Sequence, residues 1–300
     1  MLFGSCRQTE NSSKDENLKQ TTSLDFNPEH LFKHVEILSS DDFEGRRTGS
    51  QGSEKARHYI IEKLKSLNID PLFKDYEQNF SFNTDDETYN ATNILGVKSG
   101  TSFPEKYIVI SAHYDHEGIK NGEIYNGADD NASGVAGLLS IADYLKDNPP
   151  KHSIILAFFD AEELGLKGSK YYVDHSGVDL SSILLNINMD MISKNEHQEL
   201  YVSGVKSDPR LQDIISTYPS SEDLTLLIGH DGYDGKADWT YASDHGPFHV
   251  KNIPYLYFGE EDHKDLHKPT DDFENIDPEF YKNSVQTIIS IFKELDNMSF

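Results

Sequence analysis

Tyr107-Ile-Val-Ile-Ser-Ala-His-Tyr-Asp115 decides the fold. Its first five residues form a short apolar run, which reads as a buried strand, and polar side chains with chemistry follow at once. The pattern recurs three times. Ile154-Ile-Leu-Ala-Phe-Phe159 leads into Asp160-Ala-Glu-Glu163, Ile183-Leu-Leu-Asn-Ile-Asn-Met189 leads into Asp190, and Ile253-Pro-Tyr-Leu-Tyr-Phe258 leads through a loop to His267. Helical spacing separates these runs at 133–145, 168–173, 209–217 and 278–295. Uniformly apolar strands alternating with helices predict an α/β fold, a three-layer α-β-α sandwich around a mostly parallel mixed sheet. Upstream, structure is expected from Asn27-Pro28, with helices at 30–38 and 54–67 and short strands at 78–82 and 93–97.

Open α/β sheets bind ligands beyond the carboxyl ends of their strands. Four strand ends here deliver His113, Glu162 with Glu163, Asp190 and His267 to one edge. Alone, each has a plain explanation: a surface histidine, or a solvated pair of glutamates. Their convergence is what carries the metal-site expectation. Between the first two strands lies Gly127-Ala-Asp-Asp-Asn-Ala-Ser-Gly134. It lacks the ligand spacing of an EF-hand calcium loop. It reads instead as a tight turn, with glycines for backbone freedom, Asp130 turned inward, and Asn131 or Ser133 capping the next helix.

Composition sets the outer limits. The chain has 300 residues and a formal charge of -25, which argues against binding nucleic acid or an anionic membrane. Cys6 is the only cysteine, so neither an intrachain disulfide nor a cysteine-ligated zinc can form. Leu2-Phe-Gly-Ser-Cys6 resembles the end of a bacterial lipoprotein signal, and the polar run at 7–22 cannot bury a core. Residues 1–26 are therefore expected to be a tether with a lipid anchor at Cys6, placing the protein outside the cytoplasm. The competing reading is an ordinary cytosolic N-terminus. No segment is long and apolar enough to span a bilayer.

Taken in order, six segments resemble the M28 family of co-catalytic zinc peptidases, in particular its bacterial leucyl aminopeptidase-like group. They are Ala112-His-Tyr-Asp115, Gly127 to Gly134, Phe158-Phe-Asp-Ala-Glu-Glu-Leu-Gly165, Asn188-Met-Asp-Met191, Ser243-Asp-His245 with Phe248, and His267-Lys-Pro-Thr-Asp271. The resemblance implies a phosphorylase/hydrolase-like fold and two zinc ions per chain. His113 and Asp190 would hold one ion and Glu163 and His267 the other. Asp130 would bridge them, with Asp129 as the alternative. Glu162 would be the general base, Asp115 would orient His113, and Asp244 would support the site. Two ions about 3.5–4 Å apart can acidify a shared water and polarise a carbonyl, and a nearby carboxylate must then move the proton.

The implied activity is removal of amino acids from peptides with a free N-terminus, by a single catalytic domain at 27–300 without the family's protease-associated insert. The family often has an aromatic residue beside the last histidine, where this chain has Leu266. Tyr241 is a candidate to replace its hydroxyl. Trp239, Phe248, Tyr255 and Tyr257 are expected mainly as core. Three alternatives stand beside this expectation: a single-zinc glutaminyl cyclase, a carboxypeptidase or dipeptidase, and a lipoprotein that kept the fold without the chemistry. A carboxypeptidase needs a cation for the substrate carboxylate, and no arginine falls within the motifs. A non-enzyme is disfavoured by the complete set of ligands and base.

Overall fold

The computed structural model describes residues 24–85, 87–218 and 223–300. Cys6 and most of the expected tether lie outside them. The central sheet has nine strands. Four neighbouring strands run parallel at its centre. They are β4 (Phe103–His113), β7 (His152–Phe159), β8 (Ile183–Met189) and β11 (Tyr255–Gly259), in the spatial order β7-β4-β8-β11. On one side β3 (Thr88–Lys98) pairs antiparallel with β7 and carries β1 (Asp70–Pro71) and β2 (Glu77–Asn83). On the other side β9 (Glu199–Ser203) pairs antiparallel with β11 and parallel with β10 (Thr225–Ile228). A small hairpin, β5 (Gly118–Lys120) and β6 (Glu123–Tyr125), stands apart.

The three layers follow from alternation along the strands. In β4, Ile108, Ile110 and Ala112 pack into one core, while Val109 packs into the other. The larger core lies under α1 (Pro28–Leu38), α2 (Gln51–Ser66), α3 (Gly134–Asp147), α5 (Pro209–Thr217) and α7 (Pro278–Asp296). The smaller lies under α4 (Lys167–Asp174) and α6 (His245–Val250). Each fully buried Ile or Val contributes about 1.5–3 kcal/mol. That reward on both faces requires the uniformly apolar strands seen in the sequence.

The helices start at their capping residues. Pro28 follows the N-cap Asn27, which accepts from the Glu29 amide, and Pro278 follows Asp277, which accepts from Glu279 and Phe280. In α7, Phe280, Tyr281, Ser284, Val285, Ile288, Ile289, Phe292 and Leu295 form one buried stripe.

The expected elements appear within a few residues of their expected bounds, and α5 and β8 match them. The hairpin, β9, β10 and α6 carry no clear sequence signal. α6 is only 6 residues long, and the strands β9 and β10 are 5 and 4 residues long. No helix among the described residues is long and apolar enough to cross a membrane.

Candidate active site

Because β7, β4, β8 and β11 are parallel, their carboxyl ends share one edge of the sheet. His113 is the last residue of β4, and Asp190 follows β8 and donates its amide to the Phe258 carbonyl of β11. Glu162 and Glu163 follow β7 by three and four residues. His267 stands eight residues beyond β11 on a loop, with φ of 51°.

Asp130 reaches the same place from the 127–134 turn. Gly127 has φ of +59°, and a Cβ there would lie 2.1 Å from the Asp130 carbonyl oxygen, so glycine is required. Asn131 Oδ1 accepts from the Gly134 amide at the start of α3. The Asp271 carboxylate accepts from the amides of Asp129 and Asp130, at 2.9 and 3.0 Å, and fixes the turn.

The two oxygens of Asp130 face different partners. Oδ1 is 3.3 Å from His113 Nε2, which is itself 3.2 Å from Asp190 Oδ1. Oδ2 is 3.0 Å from His267 Nε2, which is 3.4 Å from Glu163 Oε2. Four ligand atoms about 2.0–2.2 Å from one tetrahedral ion lie about 3.3–3.6 Å from each other. The observed spacings are close to that edge length, so the donor set fits zinc at two adjoining positions. Asp129, the alternative bridge, turns away. Its carboxylate accepts from the Ser193 amide and hydroxyl and from His263 Nε2.

Hydrogen bonds at Nδ1 distinguish His113, a candidate ligand, from His263. His113 Nδ1 donates to the Asp115 carbonyl at 3.1 Å, so Nε2, which faces Asp130 and Asp190, is the nitrogen that could ligate once deprotonated. His263 Nδ1 accepts from the Asp265 amide, so its Nε2 carries the proton toward Asp129. The Asp129, Glu260 and His263 cluster is thus a hydrogen-bonded brace. The expected contact between the Asp115 carboxylate and His113 is long, at 3.7 Å. That carboxylate instead accepts from the amides of Glu162 and Glu163, at 3.0 and 3.4 Å, and positions both glutamates.

Burial is the largest influence on the Glu162 carboxyl, and with Asp190, Asp244 and Glu163 nearby it lies well above the usual range, despite the opposing pull of His113. Burial raises Asp244 to about 6; it is fully buried at the start of α6, close enough to Glu162 to act on its charge. Burial also acts to raise Asp130, but the imidazoles of His116, His113 and His267 overcome it and hold the group well below the carboxylate range. Hydrogen bonds to Asp130 and Glu163 hold metal-free His267 up at about 11.

A cavity of about 190 Å³ opens over these side chains. Met191, Trp239, Ala242, Tyr257 and Leu266 give it apolar walls, and Glu260 and Asp262 add acid. Trp239 is held by stacking on His230, with centroids 3.5 Å apart and planes 5° from parallel. Trp239 and Tyr257 therefore belong to the cavity, whereas Phe248 and Tyr255 are core as expected. Tyr241 is 60% exposed and lines a separate groove between α4 and α6, away from the candidate metal ligands.

Three site residues carried no usable sequence signal. Glu260 follows β11 directly, but the expectation for that strand end skipped to His267. His116 stands beside the recognised His113 and Asp115, yet only its fully buried position gives it meaning. Arg46 lies 67 residues before His113 and is buried beneath the site. It donates to the carbonyls of Tyr114, Leu38, Asn126 and Gly127, at 2.6–2.9 Å. Buried and turned toward four backbone carbonyls, it holds the loop under the candidate ligands and does not line the cavity. Arg46→Met should destabilise the protein by about 3–5 kcal/mol, because four buried carbonyls lose a charged partner together. Urea unfolding with an unchanged m-value would measure it; a loss below about 1 kcal/mol would contradict this account.

The model of peptidase family M28 matches residues 93–292. Aminopeptidase YwaD of Bacillus subtilis is 34% identical over 197 residues, which are 62% of this chain and 41% of that protein. The chain thus spans less than half the length of this relative. Among solved structures, the zinc aminopeptidase BSAP of Bacillus subtilis superposes with a TM-score of 0.71 at 19% identity, covering 91% of this chain and 96% of that one. The glutaminyl cyclase of Porphyromonas gingivalis superposes with a TM-score of 0.75 at 21% identity, covering 91% and 100%. At those identities the superpositions establish the fold. With the matched region running from β3 into α7 through every strand end that carries a candidate ligand, the chain belongs to peptidase family M28.

Proposed function

We propose that the protein is a metallo-aminopeptidase that holds two zinc ions and removes residues from peptides with a free N-terminus. The observation that carries this reading is Asp130, whose two oxygens each face a separate histidine and carboxylate set. His113 and Asp190 would hold one ion, Glu163 and His267 the other, and Asp130 both. When bound, the ions would polarise the scissile carbonyl and acidify a water molecule. Glu162 lines the cavity beside His113 and Asp190, where it can take the water's proton and pass it to the leaving amine. Asp115 holds the backbone of that glutamate, and Asp244 raises its proton affinity.

Tyr257 supplies the hydroxyl that Leu266 lacks. Burial, with Asp190, Glu162 and Asp130 nearby, keeps its phenol well above the usual range, so it stays a donor to a carbonyl oxygen gaining charge. Among the described residues no lysine or arginine lines the cavity, while Glu260 and Asp262 do. This lining suits a substrate ammonium better than a carboxylate, which favours an aminopeptidase over a carboxypeptidase. Residues 27–300 form one catalytic domain in this reading. β2, β3 and the start of β4 take up the stretch where a protease-associated insert would fall. A lipid at Cys6 would hold the enzyme outside the cytoplasm, and incorporation of labelled palmitate that Cys6→Ala abolishes would test that.

Aminoacyl-nitroanilides should be hydrolysed and their N-blocked counterparts should not. Zinc content should be two per chain. Cleavage of blocked substrates alone would overturn the exopeptidase reading. One zinc per chain, with pyroglutamate formed from glutaminyl peptides, would assign the site to a cyclase instead.

A further inference from the structure

His116 is the one histidine at the site that neither the family resemblance nor the reading above uses. It is 1% exposed, and among the described residues neither of its ring nitrogens has a hydrogen-bond partner. Buried polar groups nearly always find a partner, so one that lacks it calls for an explanation. Its Nδ1 lies 2.8 Å from Glu163 Oε1 and 3.6 Å from Asp130 Oδ2. Glu163 Oε1 is likewise buried and makes no hydrogen bond. The two atoms make a short contact, and with Asp130 they form a group whose ligand atoms lie near enough to one another to share one ion. The ring of His267 approaches the same point from another side, with its centroid 5.9 Å from that of His116. Space for the His116 ring exists because residue 127 is glycine; a Cβ there would lie 2.5 Å from His116 Cδ2.

We propose that His116 is a fourth protein ligand, through Nδ1, of the ion held by Asp130, Glu163 and His267. The inference rests on the two-metal reading. It makes the centre asymmetric: four side chains hold that ion, while three, His113, Asp130 and Asp190, hold its neighbour. Four protein ligands mark closed, firmly held zinc sites, and three mark sites with a position left open. The ion beside His113 is then the first to leave under a chelator. The ion beside His116 stays longer and anchors the His267 loop.

X-ray absorption on the zinc-loaded wild-type protein is the primary test, because it needs no variant to fold. Three imidazoles shared by two ions give about 1.5 per zinc, against about 1 if His116 does not ligate. His116→Ala should lower the count to about 1 and weaken one of the two ions by more than about 100-fold, the upper limit for loss of an outer partner. Graded chelation of wild type should release the ions in two steps, and in His116→Ala the steps should merge or reverse. Two zincs with about one imidazole each in wild type would overturn this inference and leave the two-metal reading intact. A single zinc per chain would overturn both.

Discussion

Glu162→Gln should bind as many zinc ions as the wild type and lose about 10²–10⁴-fold in kcat, the range spanned by a positioned general base. Glutamine keeps the side-chain volume and the Asp115 contact, because that contact is made by the Glu162 backbone amide. The change removes only the group that accepts and returns the proton. A pH profile adds a second reading. A base works when deprotonated, and burial with the neighbouring carboxylates raises the Glu162 carboxyl well above its usual range. Activity should therefore fall as pH drops through the Glu162 pKa of the zinc-loaded enzyme, where the ions oppose the effect of burial, and the residual activity of the glutamine variant should lack this acid limb. A variant with full turnover, or one that loses zinc together with activity, would remove Glu162 from the base role.

Asp130→Asn should be the most damaging change to the metal centre. It leaves the side-chain volume nearly unchanged and withdraws the one charge that both proposed ligand sets would share. Zinc content should fall below one per chain after dialysis, and activity should be lost with it. Glu163→Gln or Asp190→Asn should weaken mainly one ion.

The same centre predicts a proton cost for metal binding. Hydrogen bonds to Asp130 and Glu163 hold metal-free His267 at about 11, so near neutrality the imidazole is charged and must lose its proton to ligate. Lower pH favours the protonated ring and expels the ion, with affinity falling about tenfold per pH unit for each proton released. Calorimetry of zinc binding in buffers of different ionisation enthalpy should detect that release. Binding without proton release would exclude His267 as a ligand. An Asp130→Asn protein that retained two ions would exclude the bridge.

The sequence by itself determined the layered fold and most of the candidate ligands. Apolar strand runs such as 154–159 and 183–189 can be satisfied only by burial on both faces, and parallel strands send their carboxyl ends to one edge. Residues placed directly after such runs, His113, Glu163 and Asp190, could therefore be assigned a common location before any coordinates. The weaker elements stayed hidden because their stability is not local: β9 and β10 are too short to show a period, and they exist through pairing with β11.

Tertiary structure alone decided the finer matters. It gave Asp115 its grip on the Glu162 and Glu163 amides, Asp271 its hold on the 128–130 turn, and Arg46 its four carbonyls. It also set Tyr257 in the cavity and Tyr241 outside it, and it buried His116 without a hydrogen-bond partner. Each of these depends on the direction of a side chain relative to a segment distant in sequence or folded back on itself. A one-dimensional pattern records spacing along the chain and carries no such angle. Packing of the two faces fixes it only when the sheet closes over both cores.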